Sequence, residues 1–247
     1  MKGILSIAVM VGLATGSPLV AQTQEADAAV ASESRTEADR ALDESRQPAD
    51  VLRFAGIREG DRVADFMAGG GYYTALIADI VGKDGLVYAI NPTGFHDAAA
   101  WKQRMAAHSN IRPIVTEPRG MQLAPQSVDT IFTHLVFHDL YWESERFNFP
   151  RLDEKFMLAN FFAAVKSGGT VIVIDHTGPA GDTRKVTADL HRIAPATVVS
   201  AMQEAGFRLI DQSDMLQRTN DDQSKNVFDE SVRGKTDRFI LKFQKPA

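Results

Sequence analysis

The chain contains no cysteine among its 247 residues. This absence excludes disulfide bonds, zinc–thiolate sites, thiol catalysis and lipoprotein attachment. The sequence also lacks an excess of basic residues, since 27 Lys and Arg oppose 32 Asp and Glu and leave a net charge of −5. A surface that coats nucleic acid is therefore not expected, and no nucleic-acid partner is predicted. An apolar content of 44% is that of an ordinary globular protein.

Long apolar runs are scarce as well. The run at the start of the chain, Ile4–Ala14, is shorter than the ~20 residues that a membrane-spanning helix needs. Lys2 precedes this run, and Leu19-Val20-Ala21 follows it with a small residue at a suitable cleavage point. Because this order is typical of a secretory signal peptide, residues 1–21 are predicted to be removed. The mature protein is then periplasmic or secreted, without a stable membrane anchor; a buried N-terminal helix is the alternative.

An acidic segment follows the predicted signal. Between residues 22 and 50, eight acidic side chains oppose three arginines. Ala, Ser and Glu dominate its first half, which is typical of a solvated linker, whereas Arg35–Arg46 contains no helix breaker and can form a helix. We therefore predict an acidic, flexible or partly helical arm over residues 22–45. A single domain is expected over residues 46–247.

Strand-like and helix-like segments alternate through this domain. The seven predicted strands are Arg62–Phe66, Leu86–Ile90, Ile111–Val115, Val128–Phe132, Thr170–Ile174, Phe207–Asp211 and Arg238–Phe243. The main predicted helices are Thr74–Val81, Asp97–Ala107, Asp153–Val165 and Pro195–Ala205. The third of these helices is expected to place Phe156 inward and to stop at Ser167-Gly168-Gly169. This alternation predicts an α/β fold with a doubly wound, mostly parallel seven-stranded sheet. Ligands of such sheets bind beyond the carboxyl ends of the strands, so the functional site is expected there.

A glycine loop, Gly69-Gly70-Gly71, joins the first predicted strand to the next helix. Glycines at this place allow positive φ and let a ligand approach the backbone closely, although a simple tight turn is the alternative. A dinucleotide-binding fingerprint requires glycine or alanine where this chain has Thr74, and an acidic residue where it has Asn91. Both departures weaken the NAD interpretation. S-adenosylmethionine (SAM) is the other cofactor that such a loop binds.

The loop and its surroundings resemble the class I SAM-dependent methyltransferases. Their first motif is an acid followed by x-G-x-G-x-G, and this chain has Asp65-Phe66-Met67-Ala68-Gly69-Gly70-Gly71. Residues 57–63 and 81–89 are similar to the segments that flank the loop, and residues 138–141 and 233–239 are similar to an exported bacterial subgroup of predicted methyltransferases. The resemblance implies a Rossmann-like methyltransferase fold with SAM as cofactor.

The resemblance also implies roles for individual residues. Asp65 orients the methionine end of SAM, and Gly69 and Gly71 let the cofactor lie against the backbone. Asn91 then binds the ribose hydroxyls, and Glu117 borders the adenine. The implied cofactor-binding set is Asp65, Met67, Ala68, Gly69, Gly71, Asn91, Glu117 and Thr133.

Two members of this set depart from the family pattern. Met67 adds a side chain where the loop usually has glycine, and Asn91 replaces the usual acid. A carboxylate accepts hydrogen bonds from both ribose hydroxyls, whereas an amide accepts at one oxygen only. Hydrogen bonds to charged groups are worth ~1.5–3 kcal/mol and neutral ones ~1 kcal/mol. We therefore predict SAM binding that is about tenfold weaker than with the acid.

Polar side chains follow the fourth and fifth predicted strands, at His134, His138, Asp139, Asp175 and His176. Neighbouring strands would bring them to one rim beside the cofactor. Methyl transfer to oxygen or nitrogen requires loss of a proton from the acceptor, and histidine accepts protons near neutral pH. The predicted catalytic residues are therefore His134, His138, Asp139 and His176. Structural roles stay open, with Asp139 as a helix cap and His176 as a hydrogen-bonded strand end.

Other polar and aromatic segments have open interpretations. The aromatic residues Tyr141, Trp142, Phe147 and Phe149 either form a lid over an acceptor or pack on one another. His191-Arg192 lies in a polar stretch and is interpreted as a solvated face. A His/Asp metal site lacks a diagnostic ligand spacing, so no metal is predicted.

Three hypotheses for the function follow. The first is a SAM-dependent methyltransferase that acts on a small-molecule acceptor. The second is a non-catalytic exported binding protein that retains the fold, because Met67 and Asn91 alter the cofactor site and SAM is made in the cytoplasm. The third is an NAD(P)-dependent oxidoreductase. Nothing in the sequence identifies the acceptor or the oligomeric state.

Overall fold

The computed structural model describes residues 18–247, and residues 1–17 of the predicted export signal lie outside the described residues. The helices are α1 Pro18–Ala31, α2 Glu37–Arg40, α3 Asp43–Arg46, α4 Pro48–Ala55, α5 Tyr72–Val81, α6 Ala98–Ala107, α7 Glu154–Ala164, α8 Thr183–Leu190 and α9 Pro195–Glu204. The strands are β1 Arg62–Phe66, β2 Leu86–Pro92, β3 Ile111–Thr116, β4 Val128–His134, β5 Val165–His176, β6 Arg208–Ser213 and β7 Arg238–Gln244. Within residues 18–247, no helix combines the length and the apolar character needed to cross a membrane.

The seven strands form one sheet in the order β3-β2-β1-β4-β5-β7-β6. Strands β1 to β5 pair in parallel, whereas β7 runs antiparallel to both β5 and β6. The predicted α/β fold with seven strands is confirmed, but the prediction of a mostly parallel sheet is wrong, because the sheet is mixed. Parallel pairing requires a crossover, usually through a helix. The segment 214–237 between β6 and β7 contains no helix, so β7 returns in the opposite direction.

Apolar side chains cover both faces of the sheet. Four of the five residues of β1 are buried, as expected for a central strand that is covered on both sides. Phe66 packs edge-on against Phe161 of α7 on one face, with ring centroids 4.8 Å apart. Val63 belongs to the core on the other face, together with Leu76 of α5. Strand β1 and the loop that follows it are thereby fixed between two helix layers.

Helix α1 replaces the solvated linker that the sequence predicts for the first half of the acidic arm. Ala26 and Ala29 are only 1% and 3% exposed, and α1 packs against α4 and α5. Residues three apart lie on one helix face, so these small side chains let the helices approach closely. Asp27 adds an ion pair to Arg53 of α4. The rest of the arm contains the short helices α2 and α3, within the stretch that is predicted to be helical.

Three details of the secondary structure differ from the prediction. Phe156, which the pattern places inward, is 52% exposed on α7. Strand β5 begins at Val165 rather than Thr170, so the predicted stop at Ser167-Gly168-Gly169 lies inside the strand. Helix α8 is not among the predicted helices; it is a short helix in which Thr187 is the only fully buried residue. The Asp182 side chain starts that helix by accepting a hydrogen bond from the Lys185 N–H.

Candidate active site

The glycine loop lies between β1 and α5, as the sequence predicts. Gly69 and Gly71 have positive φ values of 56° and 77°. A Cβ atom at Gly69 would meet no atom within 4 Å, whereas one at Gly71 would lie 2.7 Å from Trp101 and 2.8 Å from Arg104. Gly69 therefore presents bare peptide to open space. Gly71 instead allows α6 to pack tightly against the loop.

Asn91 at the end of β2 holds the peptide of Gly69. Its Oδ1 accepts a 2.8 Å hydrogen bond from the Gly69 N–H, and its Nδ2 donates to the Gly69 carbonyl at 3.3 Å. Trp101 donates to the same carbonyl through Nε1, at 3.2 Å. Asn91 is fully buried, so both polar atoms of its side chain are used to fix the loop. Asn91 therefore lies at the position predicted for the ribose-binding residue, but its side chain bonds to the Gly69 peptide.

Met67 adopts a left-handed conformation with φ 53°. The left-handed region costs a non-glycine residue of order 1–3 kcal/mol. The backbone at Met67 therefore adopts a turn that would be less strained with glycine. The Met67 side chain is 9% exposed and packs into the core beside the loop. It forms one wall of a neighbouring cavity without filling it.

Asp65 lies beneath the loop and is 3% exposed. Its Oδ2 accepts a 2.5 Å hydrogen bond from the Thr74 Oγ1. Burial raises the pKa of Asp65 to about 7, and the Thr74 hydrogen bond and the nearby Arg46 guanidinium oppose that rise. Asp65 therefore ties β1 to the first turn of α5, behind the cavity wall.

A cavity of about 360 Å³ lies beyond the carboxyl ends of β1, β2, β4 and β5. Its lining residues are Met67, Gly69, Asn91, Pro92, Phe95, Leu135, Val136, His138, Asp139, Trp142, Phe147, His176, His191, Val227 and Phe228. The glycine loop and the connection after β2 form one half. The other half comes from the connection after β4, the end of β5, the end of α8 and the connection between β6 and β7. The volume falls in the range of small-molecule sites. A larger groove of about 590 Å³ between α7 and α9 contains neither the glycine loop nor a histidine, so the smaller cavity is the candidate site.

His138 and Asp175 form a buried pair at the floor of this cavity. The His138 backbone N–H donates to Asp175 Oδ2, and His138 Nδ1 lies 2.8 Å from Oδ1. His138 Nε2 is 3.5 Å from Asp139. Burial disfavours the imidazolium, but the carboxylates of Asp175 and Asp139 prevail and raise the pKa of His138 to about 9. His138 is therefore protonated at neutral pH and contributes a positive charge rather than a free lone pair.

Asp139 and His176 titrate differently from His138. Burial raises the pKa of Asp139 to about 6, with the His138 charge opposing the rise and Asp175 adding to it. Burial and the neighbouring His138 lower the pKa of His176 well below its usual range. His176 Nδ1 lies 2.8 Å from Thr236 Oγ1, which leaves Nε2 available. His176 is thus a neutral imidazole that lines the cavity.

His191 joins the cluster, so its interpretation as a solvated residue is wrong. Its ring centroid lies 5.6 Å from that of His138 and 5.2 Å from that of Trp142. Its Nδ1 is buried and has no hydrogen-bond partner among the residues that the structure describes. Burial and the His138 charge lower the pKa of His191 to about 4. Its neighbour Arg192 is also fully buried.

His134 lies apart from this cluster, although the sequence predicts it on the same rim. Its ring packs 4.7 Å from that of Tyr73, and it does not line the cavity. Burial and the charges of Arg46 and Arg238 lower the pKa of His134 well below its usual range. Of the predicted catalytic residues, the structure therefore brings His138, Asp139 and His176 together.

The remaining predicted cofactor residues occupy different places. Glu117 is exposed and lines a small cavity of about 140 Å³, which shares Pro92, Phe95 and Phe147 with the main cavity. Thr133 is fully buried and donates to the Ile172 carbonyl at 3.2 Å. The Ala68 N–H donates to the Ile90 carbonyl at 3.0 Å. Across residues 18–247, no three His, Asp or Glu side chains converge in a group that could hold a metal ion.

Comparison with known proteins supports the fold assignment. No protein-family model matches the sequence, and no curated protein matches it. A SAM dependent methyltransferase from Aquifex aeolicus is 22% identical with a TM-score of 0.56, over 79% of this chain and 87% of that one. A second, from Mesorhizobium loti, is 14% identical with a TM-score of 0.56, over 83% of this chain and 100% of that one. The chain thus has the Rossmann-like fold of SAM-dependent methyltransferases.

Proposed function

We propose that this protein is a SAM-dependent methyltransferase that acts on a small-molecule acceptor. One observation carries the proposal: the open face of Gly69 and the histidines His176 and His191 line the same cavity. The cavity lies where doubly wound sheets bind their ligands. The similarity to solved methyltransferases adds support, although a fold alone does not fix a function. Calorimetry should show saturable binding of SAM and S-adenosylhomocysteine (SAH), and absence of heat with both at millimolar concentration contradicts the proposal.

The residues present fit this cofactor. Bare peptide at Gly69 lets a ligand rest against the backbone, and Asn91 lines the cavity while it holds that peptide in place. Glu117 lines the adjoining small cavity, which suits a purine beside the ribose end. When bound, SAM supplies an electrophilic methyl group on a sulfonium, and the protein aligns the acceptor with it.

The proton of the acceptor passes to a neutral imidazole in this proposal. His176 and His191 are uncharged at neutral pH, and both face the cavity. Burial and the positive charge of His138 lower the pKa values of both neighbours and keep them neutral. Asp175 holds His138 in place through a 2.8 Å hydrogen bond. His191 is the stronger candidate for the proton acceptor, because Thr236 already holds the His176 imidazole through Nδ1, whereas the His191 imidazole is not held by a hydrogen bond in the described part of the chain.

Replacing His191 by alanine is expected to lower kcat about 10²-fold, the lower end of general-base contributions, because His176 remains nearby. The measurement is SAH release with any acceptor that the unmodified protein methylates. His134→Ala is the matched control, since this imidazole lies at the end of β4 and does not line the cavity. Equal losses in the two variants, after correction for folded fraction, would remove His191 from the mechanism.

The preference for SAM over SAH is expected to fall below pH 6. Asp139, with a pKa of about 6, is charged above that pH and neutral below it, so acidification removes one negative charge from the cavity. SAM carries one more positive charge than SAH, and we expect its relative affinity to fall about fivefold between pH 7.5 and pH 5, or about 1 kcal/mol. Calorimetry with both ligands measures this ratio. In Asp139→Asn the ratio should not change with pH, and an unchanged slope there contradicts the assignment.

We also propose that the protein acts outside the cytoplasm. The basic start, the short apolar run and Ala21 support this proposal. A fusion of residues 1–40 to a reporter that is active only after export should be active, and Ile4→Lys should silence it. An inactive reporter in the unmodified fusion would contradict export and would indicate that the protein acts in the cytoplasm, where SAM is made.

A further inference from the structure

Five aromatic rings follow one another along the cavity, from the connection after β2 to the connection between β6 and β7. The pairs Phe95–Phe147, Phe147–Trp142, Trp142–His191 and His191–Phe228 have centroid distances of 6.2, 5.9, 5.2 and 5.0 Å. These rings come from four separate connections, after β2, after β4, at the end of α8 and between β6 and β7. We define them as the aromatic arc.

Three rings of the arc stay exposed, although the loop after β4 has a buried aromatic core of its own. Trp142 and Phe149 are 8% and 2% exposed and form the core of the loop after β4. Phe147 and Phe228 remain 47% and 59% exposed, and Phe95 is 41% exposed. Contiguous exposed apolar surface on a soluble domain marks an interaction site more often than a structural one. Because these rings meet at one cavity, the ligand that covers them is small and enters between them.

The charges around the cavity narrow the class of ligand. None of its lining residues in the described part of the chain is a lysine or an arginine. Asp139 is the lining carboxylate and lies beside His138. His138 is the lining cation, but Asp175 and Asp139 already pair with it. A phosphate or carboxylate group on the ligand would therefore meet a cation that is already neutralised and would also face Asp139. An uncharged ring is favoured by the arc, since aromatic pairs prefer stacked or edge-to-face contact.

We propose that the methyl acceptor is an uncharged, planar aromatic molecule with one hydroxyl group. Its ring stacks within the aromatic arc, and its hydroxyl donates a hydrogen bond to the imidazole of His191, which lines the cavity. The inference rests on the proposed function, because it takes the part of the arc from Trp142 to Phe228 as the acceptor side. A hydroxyl group can donate a hydrogen bond to this imidazole, whereas an unsubstituted hydrocarbon cannot.

The test compares four ligands of similar size by calorimetry and by quenching of tryptophan fluorescence at pH 7. 2-Naphthol should bind at least about tenfold more tightly than decahydro-2-naphthol, which is not planar, or 2-naphthoate, which is anionic. Naphthalene should bind about fivefold more weakly than 2-naphthol, because it lacks the hydroxyl. Equal binding of 2-naphthol and decahydro-2-naphthol, or tighter binding of 2-naphthoate, would overturn the proposal.

Two exposed phenylalanines provide a matched pair of variants. Phe228→Ala should weaken 2-naphthol binding about tenfold, whereas Phe156→Ala, at a similar exposure on α7, should leave it unchanged. SAH binding is measured in parallel and separates the two hypotheses. If SAH binds and 2-naphthol does not, the acceptor assignment fails and the proposed function stands. If 2-naphthol binds and SAH does not, the protein is an aromatic-binding protein and the methyltransferase proposal fails.

Discussion

Replacement of Gly69 by arginine is expected to abolish SAM and SAH binding, with a loss of at least about 10³-fold. Gly69 lines the cavity and faces open space, so a long side chain there projects into the cofactor half without displacing the core. The positive φ of 56° adds backbone strain of roughly 1 kcal/mol. The fold should therefore survive while the site is filled. Calorimetry measures the binding, and thermal unfolding measures the fold.

Gly70→Arg provides the control for this variant. Gly70 is the next residue, is exposed, has open space around its Cα and does not line the cavity. The same charge and bulk are thereby introduced one residue away, and binding should stay within about threefold of the unmodified protein. Loss of binding in both variants would indicate a general disturbance of the loop. Retained binding in Gly69→Arg would show that the cofactor does not lie on this peptide, and the proposed function would lose its main support.

The sequence predicts the strands better than their directions. Arg62–Phe66 is found with unchanged bounds, because apolar periodicity and the following glycines both mark it. The direction of β7 is not encoded in its own pattern; it depends on how 214–237 returns along the sheet. The packing of α1 is equally hidden, because alanines in an acidic stretch resemble a linker until a neighbouring helix covers them.

The sequence predicts the site residues that lie at the ends of strands. It does not predict the site residues that come from connections distant in the sequence. His138, Asp139 and His176 follow β4 and β5, so the parallel register brings them together. His191 and Phe228 arrive from connections with no local signal. The protonation states are also tertiary properties, since the pKa of His138 is raised by Asp175, a residue 37 positions away. Asn91 is placed correctly by sequence, but its bonds to Gly69 emerge only from the loop geometry.

Removal of the Asp221 carboxylate is expected to lower the free energy of unfolding by about 3–5 kcal/mol, the range for breaking a buried ion pair. Arg192 and Asp221 are 0% and 1% exposed in their side chains and form two hydrogen bonds, at 2.7 and 3.1 Å. Burial opposes ionisation of Asp221, but the bonds from Arg192 and the Asp237 N–H keep its pKa below the usual range. In Asp221→Ala the Arg192 charge stays buried without its carboxylate. Chemical denaturation measures the loss.

The same pair holds the connection between β6 and β7 against the end of β5. Arg192 donates through Nε to the Lys225 carbonyl and through Nη1 to the Thr177 carbonyl. Phe228 lies on this connection, so Asp221→Ala should also weaken 2-naphthol binding about tenfold under conditions where the protein remains folded. Asp222→Ala is the matched control, because this neighbouring carboxylate is exposed and its loss should change stability by no more than about 0.5 kcal/mol.

A double variant shows how much of the stability loss comes from leaving the Arg192 charge buried without a partner, rather than from losing the ion pair itself. Arg192→Met combined with Asp221→Leu removes both charges and fills the space with apolar side chains, so it should be less destabilised than Asp221→Ala by about 2 kcal/mol or more. The acid dependence provides a second check: stability from ionised Asp221 is present above its unfolded pKa and is lost as the pH falls through its lower folded value. Equal stability of Asp221→Ala and Asp222→Ala at pH 7 would show that the pair does not hold the cavity wall. The wall would then depend on the apolar contacts of Phe228 and its neighbour Val227.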